Sequence, residues 1–331
     1  MKKIPLVLLL FFVVMLSAQE KKYVTIQRTH NLMGTNFDIV IVAESETAAL
    51  KNIDYIVNEI KRIEKLISSW DTSSETSLIN KNAGIQPVKV SAEIFDLIKR
   101  SISLSKLTKG AFDITFASMN TVWKFDGSLK NLPSHDEINS SISSVGYENI
   151  MLNQELSTVF LPRVGMKIGF DAIGKGYAVD KAKELMQSKK VFAGAISSTG
   201  DLVTWGRQAS GEKWIYGIAN PQKREDILTW LPLDESAVAT SDNYKKYIVF
   251  NGEKYSHIID PRTGYPTKGI NRVSVFSKSA EFSDAIATAI FVMGVKAGLE
   301  FAKQLDNIEI IIVDVENHIH KTNGIKIDAS N

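Results

Sequence analysis

Asp284 and Thr288 stand four residues apart in Glu281–Met293, where Ile286, Ile290 and Met293 recur at helical spacing. On a helix their oxygens point the same way. A carboxylate and a hydroxyl, with a backbone carbonyl nearby, make the hard oxygen set that Mg²⁺ prefers, with phosphate oxygens and water completing the shell. The same pair also fits a helix cap and a hydroxyl bonded back to its own turn. A second candidate is the glycine-rich stretch Gly169-Phe170-Asp171-Ala172-Ile173-Gly174-Lys175-Gly176-Tyr177-Ala178-Val179-Asp180, which runs into an amphipathic helix. Glycines let a ligand approach the backbone, a helix start offers free N–H groups, and Lys175 adds a charge, so the stretch suits a phosphate or pyrophosphate. It is not the Walker pattern, because no Ser or Thr follows the lysine. His257 lies among turn formers, with Asp260-Pro261-Arg262-Thr263-Gly264 to hold its loop, and could take a proton near neutrality. Asp113, after Gly110-Ala111-Phe112, could accept from a ligand N–H or cap a turn. The sequence offers no trustworthy Ser-His-Asp spacing, no zinc cluster and no dinucleotide fingerprint.

The elements that must position these groups alternate irregularly. Tyr23–Arg28 and Asn36–Ala43 read as strands flanking a turn at Gly34. Ile53, Ile56, Val57, Ile60, Ile63, Ile67 and Trp70 form one apolar helical stripe, followed by a polar loop over 71–77. Ser91 caps a second helix that Gly110 stops, and Ala111–Thr115 follows as a strand or turn. Residues 116–133 read as an irregular surface excursion, and Ser134 with Glu137 as a capping box. Residues 147–168 suggest hairpins, with Met166–Ile168 as a third short strand. Beyond the glycine-rich stretch, Val191–Ile196, Trp214–Ile218, Ile227–Leu231, Tyr247–Phe250, a segment around Val273 and Val275, and Ile308–Val315 read as strands, with Asn251-Gly252 as a hairpin turn. Hairpins outnumber strand-helix-strand units and there is no internal repeat. The expected fold is α+β, one composite domain of mainly antiparallel or mixed sheets with packed helices.

A chain of 331 residues with 44% hydrophobic and 23% charged content can build a large core. The formal charge of +2 falls to balance, 37 basic against 37 acidic residues, once Lys2 and Lys3 are set aside. Charge therefore gives no argument for nucleic acid or an anionic membrane as partner. Two lysines, an apolar run from Ile4 to Leu16 and Ser17-Ala18 match an export signal over 1–18, with the working domain over 19–331. The signal is either cleaved after Ala18 or kept as an N-terminal anchor. The absence of cysteine excludes disulfides, thiol chemistry and a cysteine-linked lipid anchor.

Taken together, these motifs resemble the ApbE family, flavin transferases that attach FMN to a protein threonine or serine with FAD as donor. The resemblance spans nearly the whole mature chain. It rests on Met33-Gly34-Thr35, the Ser74-Glu75 loop to Leu78-Ile79-Asn80, Gly110-Ala111-Phe112-Asp113, Gly174–Asp180, Ala239-Thr240-Ser241, His257–Gly264 and Asp284-Ala285-Ile286-Ala287-Thr288-Ala289. It implies an α+β fold with FAD in a cleft and Mg²⁺ at the pyrophosphate. By the same resemblance the metal ligands would be the Ala172 carbonyl, Asp284 and Thr288, and Lys175 would sit near the phosphates. Met33, Ala111, Phe112, Asp113, Asp171, Ser198, Thr199, Gly200 and His257 would line the flavin or adenine sites, and Trp70, where the family has an aromatic residue, would stack on a ring. Two departures stand out: the acid of the central loop is displaced to Asp171, and Asp242 replaces the usual glycine after Ala-Thr-Ser.

The family's chemistry implies an acceptor Thr or Ser attacking the FMN phosphorus and releasing AMP, with Lys175 and Mg²⁺ stabilising the charge. His257 or a metal-proximal Asp would serve as base, so the catalytic set is His257, Lys175 and Asp284. Acceptors would be extracytoplasmic redox proteins of the Nqr or Rnf kind, which an exported enzyme in the periplasm or on the outer face of the cytoplasmic membrane would meet. With water as acceptor the same site would be an FAD pyrophosphatase. A non-catalytic FAD-binding envelope protein is the other alternative, which Asp284, Thr288 and Lys175 argue against.

Overall fold

The computed structural model describes residues 23–119, 122–198, 200–223, 225–244 and 247–326, so the expected leader over 1–18 and the candidate Thr199 lie outside the described residues. In chain order the first elements are β1 (Val24–Leu32), β2 (Thr35–Ala43), α1 (Glu46–Ile67), α2 (Glu75–Lys81), β3 (Val88–Lys89), α3 (Ala92–Leu107) and α4 (His135–Ser141). Then come β4 (Met151–Asn153), β5 (Thr158–Phe160), α5 (Gly174–Ser188), β6 (Ala193–Ser198), β7 (Asp201–Trp205), β8 (Trp214–Ala219) and β9 (Ile227–Leu233). The chain closes with β10 (Ala237–Asp242), β11 (Tyr247–Phe250), β12 (Glu253–Ser256), β13 (Ile270–Ser277), α6 (Ala280–Met293), α7 (Val295–Ala302), β14 (Glu309–Asp314) and β15 (Ile319–Lys321).

An eight-stranded sheet in the order β1-β2-β6-β7-β10-β13-β14-β15 forms the frame. All its neighbours pair antiparallel. In β2, alternation buries Phe37, Ile39 and Ile41 on one face. That face packs in one cluster with Ile53, Ile56 and Ile60 of α1, Ala178 and Ala182 of α5, and Ile286 and Ile290 of α6. On the other face, the β8–β9 hairpin closes over Val238, Phe276 and Ile311, placing Ile218 and Leu233 against them. The fold is thus a single α+β domain, as the sequence indicates.

Several local expectations need correction. The α1 stripe runs to Ile67 and stops there, because Ser68 Oγ accepts from the N–H groups of Trp70 and Asp71 and turns the chain away. The polar run after it is partly helix: Ser74 caps α2, accepting from Ser77 N–H at 2.9 Å. Residues 114–118 form a short 3₁₀ helix. The stretch that follows is not merely surface, since Trp123 is buried and stacks on Tyr255 at 5.6 Å. Met166–Ile168 is no strand. There the Asn80 side chain acts as a one-residue strand partner, donating to Ile168 O at 2.9 Å and accepting from Ile168 N–H at 2.8 Å. The capping box at Ser134 and Glu137 and the Asn251-Gly252 turn form as read.

Candidate active site

Helices α5 and α6 approach each other at Gly176. A Cβ on that residue would lie 2.2 Å from Ala280 O and 2.5 Å from Ala280 C, so only glycine admits the α6 backbone there. Its N–H donates to Asp284 Oδ2 at 3.2 Å. One turn further along α5, Asp180 closes the clamp. Its carboxylate accepts from Ala280 N–H at 3.0 Å, Glu281 N–H at 2.9 Å and Ser279 Oγ at 2.7 Å, satisfying the free donors at the α6 N-terminus. Burial pushes the Asp180 carboxyl up, against the pull of these hydrogen bonds. The clamp fixes Asp284, which is buried, and Thr288 one turn below it, whose Oγ1 lies 3.4 Å from Ser241 Oγ on β10.

Lys175 turns from this packed face toward a cluster of acids. Its Nζ lies 3.7 Å from Asp201 Oδ2; the lysine side chain is 29% exposed and the aspartate 2%. Asp284 first, then Asp201 and Asp171, raise the ammonium pKa above its usual value despite burial. Burial, then the charge of Asp284, pushes the Asp201 carboxyl up to about 8, while Lys175 pulls it down. Asp201 Oδ2 and Ser198 Oγ are both buried without a hydrogen-bond partner. Sequence reading assigns Asp201 no role; its one signal is an acid directly after the Gly200 turn (φ 95), at a strand end facing another strand's Thr-Ser.

These side chains share a cavity of about 720 Å³ lined by Ala172, Lys175, Asp284, Thr288, Met33, Ala111, Phe112, Asp113, Asp171, Ser241, Asp242 and His257. It continues into a pocket of about 320 Å³, more apolar, where Phe116, Met119, Trp123 and Phe125 join Phe112, Asp171, Ala172 and His257. In the other direction, past Thr240 and Asp242, a third cavity of about 630 Å³ is lined by Ser198, Gly200, Asp201, Tyr216 and Arg272. Most residues read from the sequence thus gather around the two adjoining cavities, whereas Ser198 and Gly200 line the third, which meets the central one at Thr240 and Asp242. Trp70 is not among them: it is 88% exposed and lines none of these cavities.

Local structure explains how the cleft residues are held. Met33 sits in the β1–β2 turn at φ 50, followed by Gly34 at φ 73. Asp113 Oδ1 accepts from Thr115 N–H and Oγ1 at 2.7 and 2.6 Å, and Oδ2 from Tyr147 N–H at 3.0 Å. It therefore fixes its own turn while lining the cavity, and burial raises its pKa. The loop beside His257 is tied as expected. Gly264 N–H donates to Asp260 O at 2.8 Å, Arg262 Nε donates to Asp260 Oδ1 at 2.8 Å, and Trp123 Nε1 donates to Gly264 O at 2.9 Å.

Comparison with known proteins bears on the family and the fold. The chain is 27% identical over 284 residues to an FAD:protein FMN transferase of Klebsiella pneumoniae, covering 85% of this chain and 87% of that one. It is 26% identical over 294 residues to the enzyme of that name from Vibrio cholerae, covering 87% of each. The crystal structure of the ApbE protein from Thermotoga maritima superposes with a TM-score of 0.81 at 30% identity, covering 91% of this chain and 97% of that one. The flavin transferase ApbE from Vibrio cholerae has the same fold, with a TM-score of 0.78. The sequence profile of the ApbE family matches residues 33–312, and the protein whose cleft gathers Lys175, Asp284 and Thr288 belongs to that family.

Proposed function

We propose that the protein is a Mg²⁺-dependent FAD:protein FMN transferase, which joins FMN by a phosphoester to a Thr or Ser of an extracytoplasmic redox protein and releases AMP. The observation that carries this reading is the junction of two chemistries in one cleft. A lysine and a hard oxygen set, Asp284 and Thr288 one helical turn apart with Ala172 lining the same cavity, adjoin an apolar pocket lined by Phe112, Phe116 and Trp123. The oxygen donors suit Mg²⁺, and the buried Asp201 carboxyl, 3.7 Å from Lys175 Nζ, lies close by. Ala172, Asp284 and Thr288 would hold the ion, which would supply Lewis-acid neutralisation of the diphosphate.

The remaining work falls to the chain itself. Lys175, kept charged by the surrounding acids, offsets charge that develops on the departing AMP. Met33, Phe112 and Asp113 orient the flavin half. His257 lines both the central cavity and the apolar pocket, a position suited to taking the proton from the acceptor hydroxyl as its oxygen bonds to the FMN phosphorus and the bond to AMP breaks. Asp171 and Asp242, the family's two departures, both border the central cavity as further acids. Residues 1–18 would direct export, either cleaved or retained as an anchor, and Nqr- or Rnf-type subunits are the acceptor class.

Incubating the protein with FAD, Mg²⁺ and a Thr-bearing acceptor domain, then weighing the acceptor by intact mass, tests the proposal. A mass gain of one FMN that requires the acceptor Thr is the expected outcome. Free FMN and AMP without any gain would reassign the cleft to FAD hydrolysis.

A further inference from the structure

A second convergence of metal-ligating side chains lies outside the cleft, on the hairpin joining β14 to β15. Val315-Glu316-Asn317 makes the turn, closed by Asp314 N–H donating to His318 O and Asn317 N–H donating to Asp314 O, both at 3.1 Å. Asn317 takes φ 66, the left-handed residue that such three-residue loops use. Ile312 pairs with His320 and Val313 with Ile319, which sets His318 opposite Asp314. Side chains two apart share a face of a strand, so Asp314, His318 and His320 emerge together.

The atoms converge as the register requires. His318 Nδ1 lies 3.3 Å and His320 Nε2 2.8 Å from the same oxygen, Asp314 Oδ2. One ligand atom from each of Asp314, Glu316 and His318 falls within 4.8 Å of the others. Asp314 is buried and aimed: its Oδ1 accepts from His318 N–H at 2.8 Å, and its carbonyl accepts from Asn271 Nδ2 at 2.9 Å. His318 is 73% exposed, which leaves the cluster open to an ion from solvent.

Donor type separates this cluster from the cleft. Two imidazole nitrogens with carboxylate oxygens select a borderline transition ion, whereas the oxygen-only set at Asp284 suits Mg²⁺. Ligands about 2.0–2.2 Å from a tetrahedral Zn²⁺ stand about 3.3 Å from one another. The Asp314–His318 separation already has that value, whereas His320 reaches Asp314 Oδ2 but stands outside the group of three, so its ring must turn toward the ion to join the shell. We propose that Asp314, Glu316, His318 and His320 form a binding site for a Zn²⁺-class divalent ion, distinct from the flavin cleft, that ties the last two strands of the sheet together. The site does not depend on the flavin-transfer reading.

Metal-stripped protein should be titrated calorimetrically with Zn²⁺ in the presence of a large excess of Mg²⁺, which fills the oxygen site. One saturable Zn²⁺ per chain is expected, with visible Co²⁺ absorption bands of a four- or five-coordinate ion. His318→Ala and His320→Gln should each weaken Zn²⁺ binding by at least about tenfold, with Mg²⁺-dependent turnover unchanged. His320→Gln keeps a side-chain donor for Asp314, so it separates loss of a ligand from loss of the hairpin. Absence of saturable Zn²⁺ binding would overturn the proposal, as would binding indifferent to both substitutions or lost only in Asp284→Ala.

Discussion

Replacing Gly176 by alanine tests whether the cleft depends on the close approach of two helices. The added Cβ would sit 2.2 Å from Ala280 O and 2.8 Å from Glu281 N. Both are backbone atoms that cannot rotate aside, and the first contact is about 1 Å short of ordinary packing. Overpacking of this kind costs about 1–3 kcal/mol. Parting the helices also stretches the Gly176 N–H bond to the Asp284 carboxylate, now 3.2 Å, a charged hydrogen bond of about 1.5–3 kcal/mol. Alanine returns about 1 kcal/mol of helix propensity. The net loss is about 1.5–5 kcal/mol, which for a domain of about 300 residues is a fall in melting temperature of about 2–8 °C. Because Asp284 moves with α6, turnover should fall on the order of 100-fold. Gly174→Ala is the control. Its Cβ meets the tip of the Ile67 side chain at 2.7 Å, which can swing away, so stability should change by no more than about 1 kcal/mol. Urea unfolding and Mg²⁺-dependent FMN transfer on both variants decide the matter. Equal stability and equal activity of the two would refute the clamp.

Asp284→Ala should cut Mg²⁺-dependent turnover by at least about 100-fold while FAD still quenches protein fluorescence on binding; unchanged turnover would remove Asp284 from the metal shell. Asp180→Asn weakens three hydrogen bonds at the α6 N-terminus and should cost about 1.5–3 kcal/mol in urea unfolding; a loss below about 0.5 kcal/mol would deny the residue its anchoring role. Asp201→Asn should change how stability depends on pH in metal-free protein. The native carboxyl holds its proton up to about 8, the unfolded one only to about 3.9, so between these values the unfolded chain binds fewer protons and wild-type stability falls as pH rises. Lys175, raised above its usual value, contributes stability that is fully present below about 10.4 and is lost only above that, outside this window. The variant's stability should be flatter from about pH 4 to 8, and parallel curves for the two proteins would contradict the buried acid.

The parts legible in the sequence are those whose physics is local. The α1 stripe, the Ser91 and Ser134 caps and the Asn251-Gly252 turn each depend on residues a few positions apart, and each forms. Asp284 and Thr288 are legible for the same reason, since helical spacing alone puts both oxygens on one side of α6. Trp70 misleads because a helical period extends on paper past the Ser68 turn that ends the helix. Asn80 carries no local signal, and Asp201 only its place after the Gly200 turn. The partner of Asn80 lies 88 residues on, and Asp201 is defined by its burial beside Lys175. Neither relation exists until the sheet has assembled.

Glycine spacing in 174–176 suggests backbone bared to a phosphate, yet neither Gly174 nor Gly176 lines the cleft. What they admit is protein: the Ile67 side chain at one position and the α6 backbone at the other. Residues 176 and 180, one turn apart, present a single face to α6, whereas Lys175 is rotated by about 100° onto the adjoining face. A single turn of α5 therefore fixes the Asp284 helix with one side and directs a cation into the cavity with the next. The contacts of Gly176 and Asp180 thereby hold α5 against α6 without a flexible loop, which is the preorganisation that the proposed stabilisation of a leaving group by Lys175 would require.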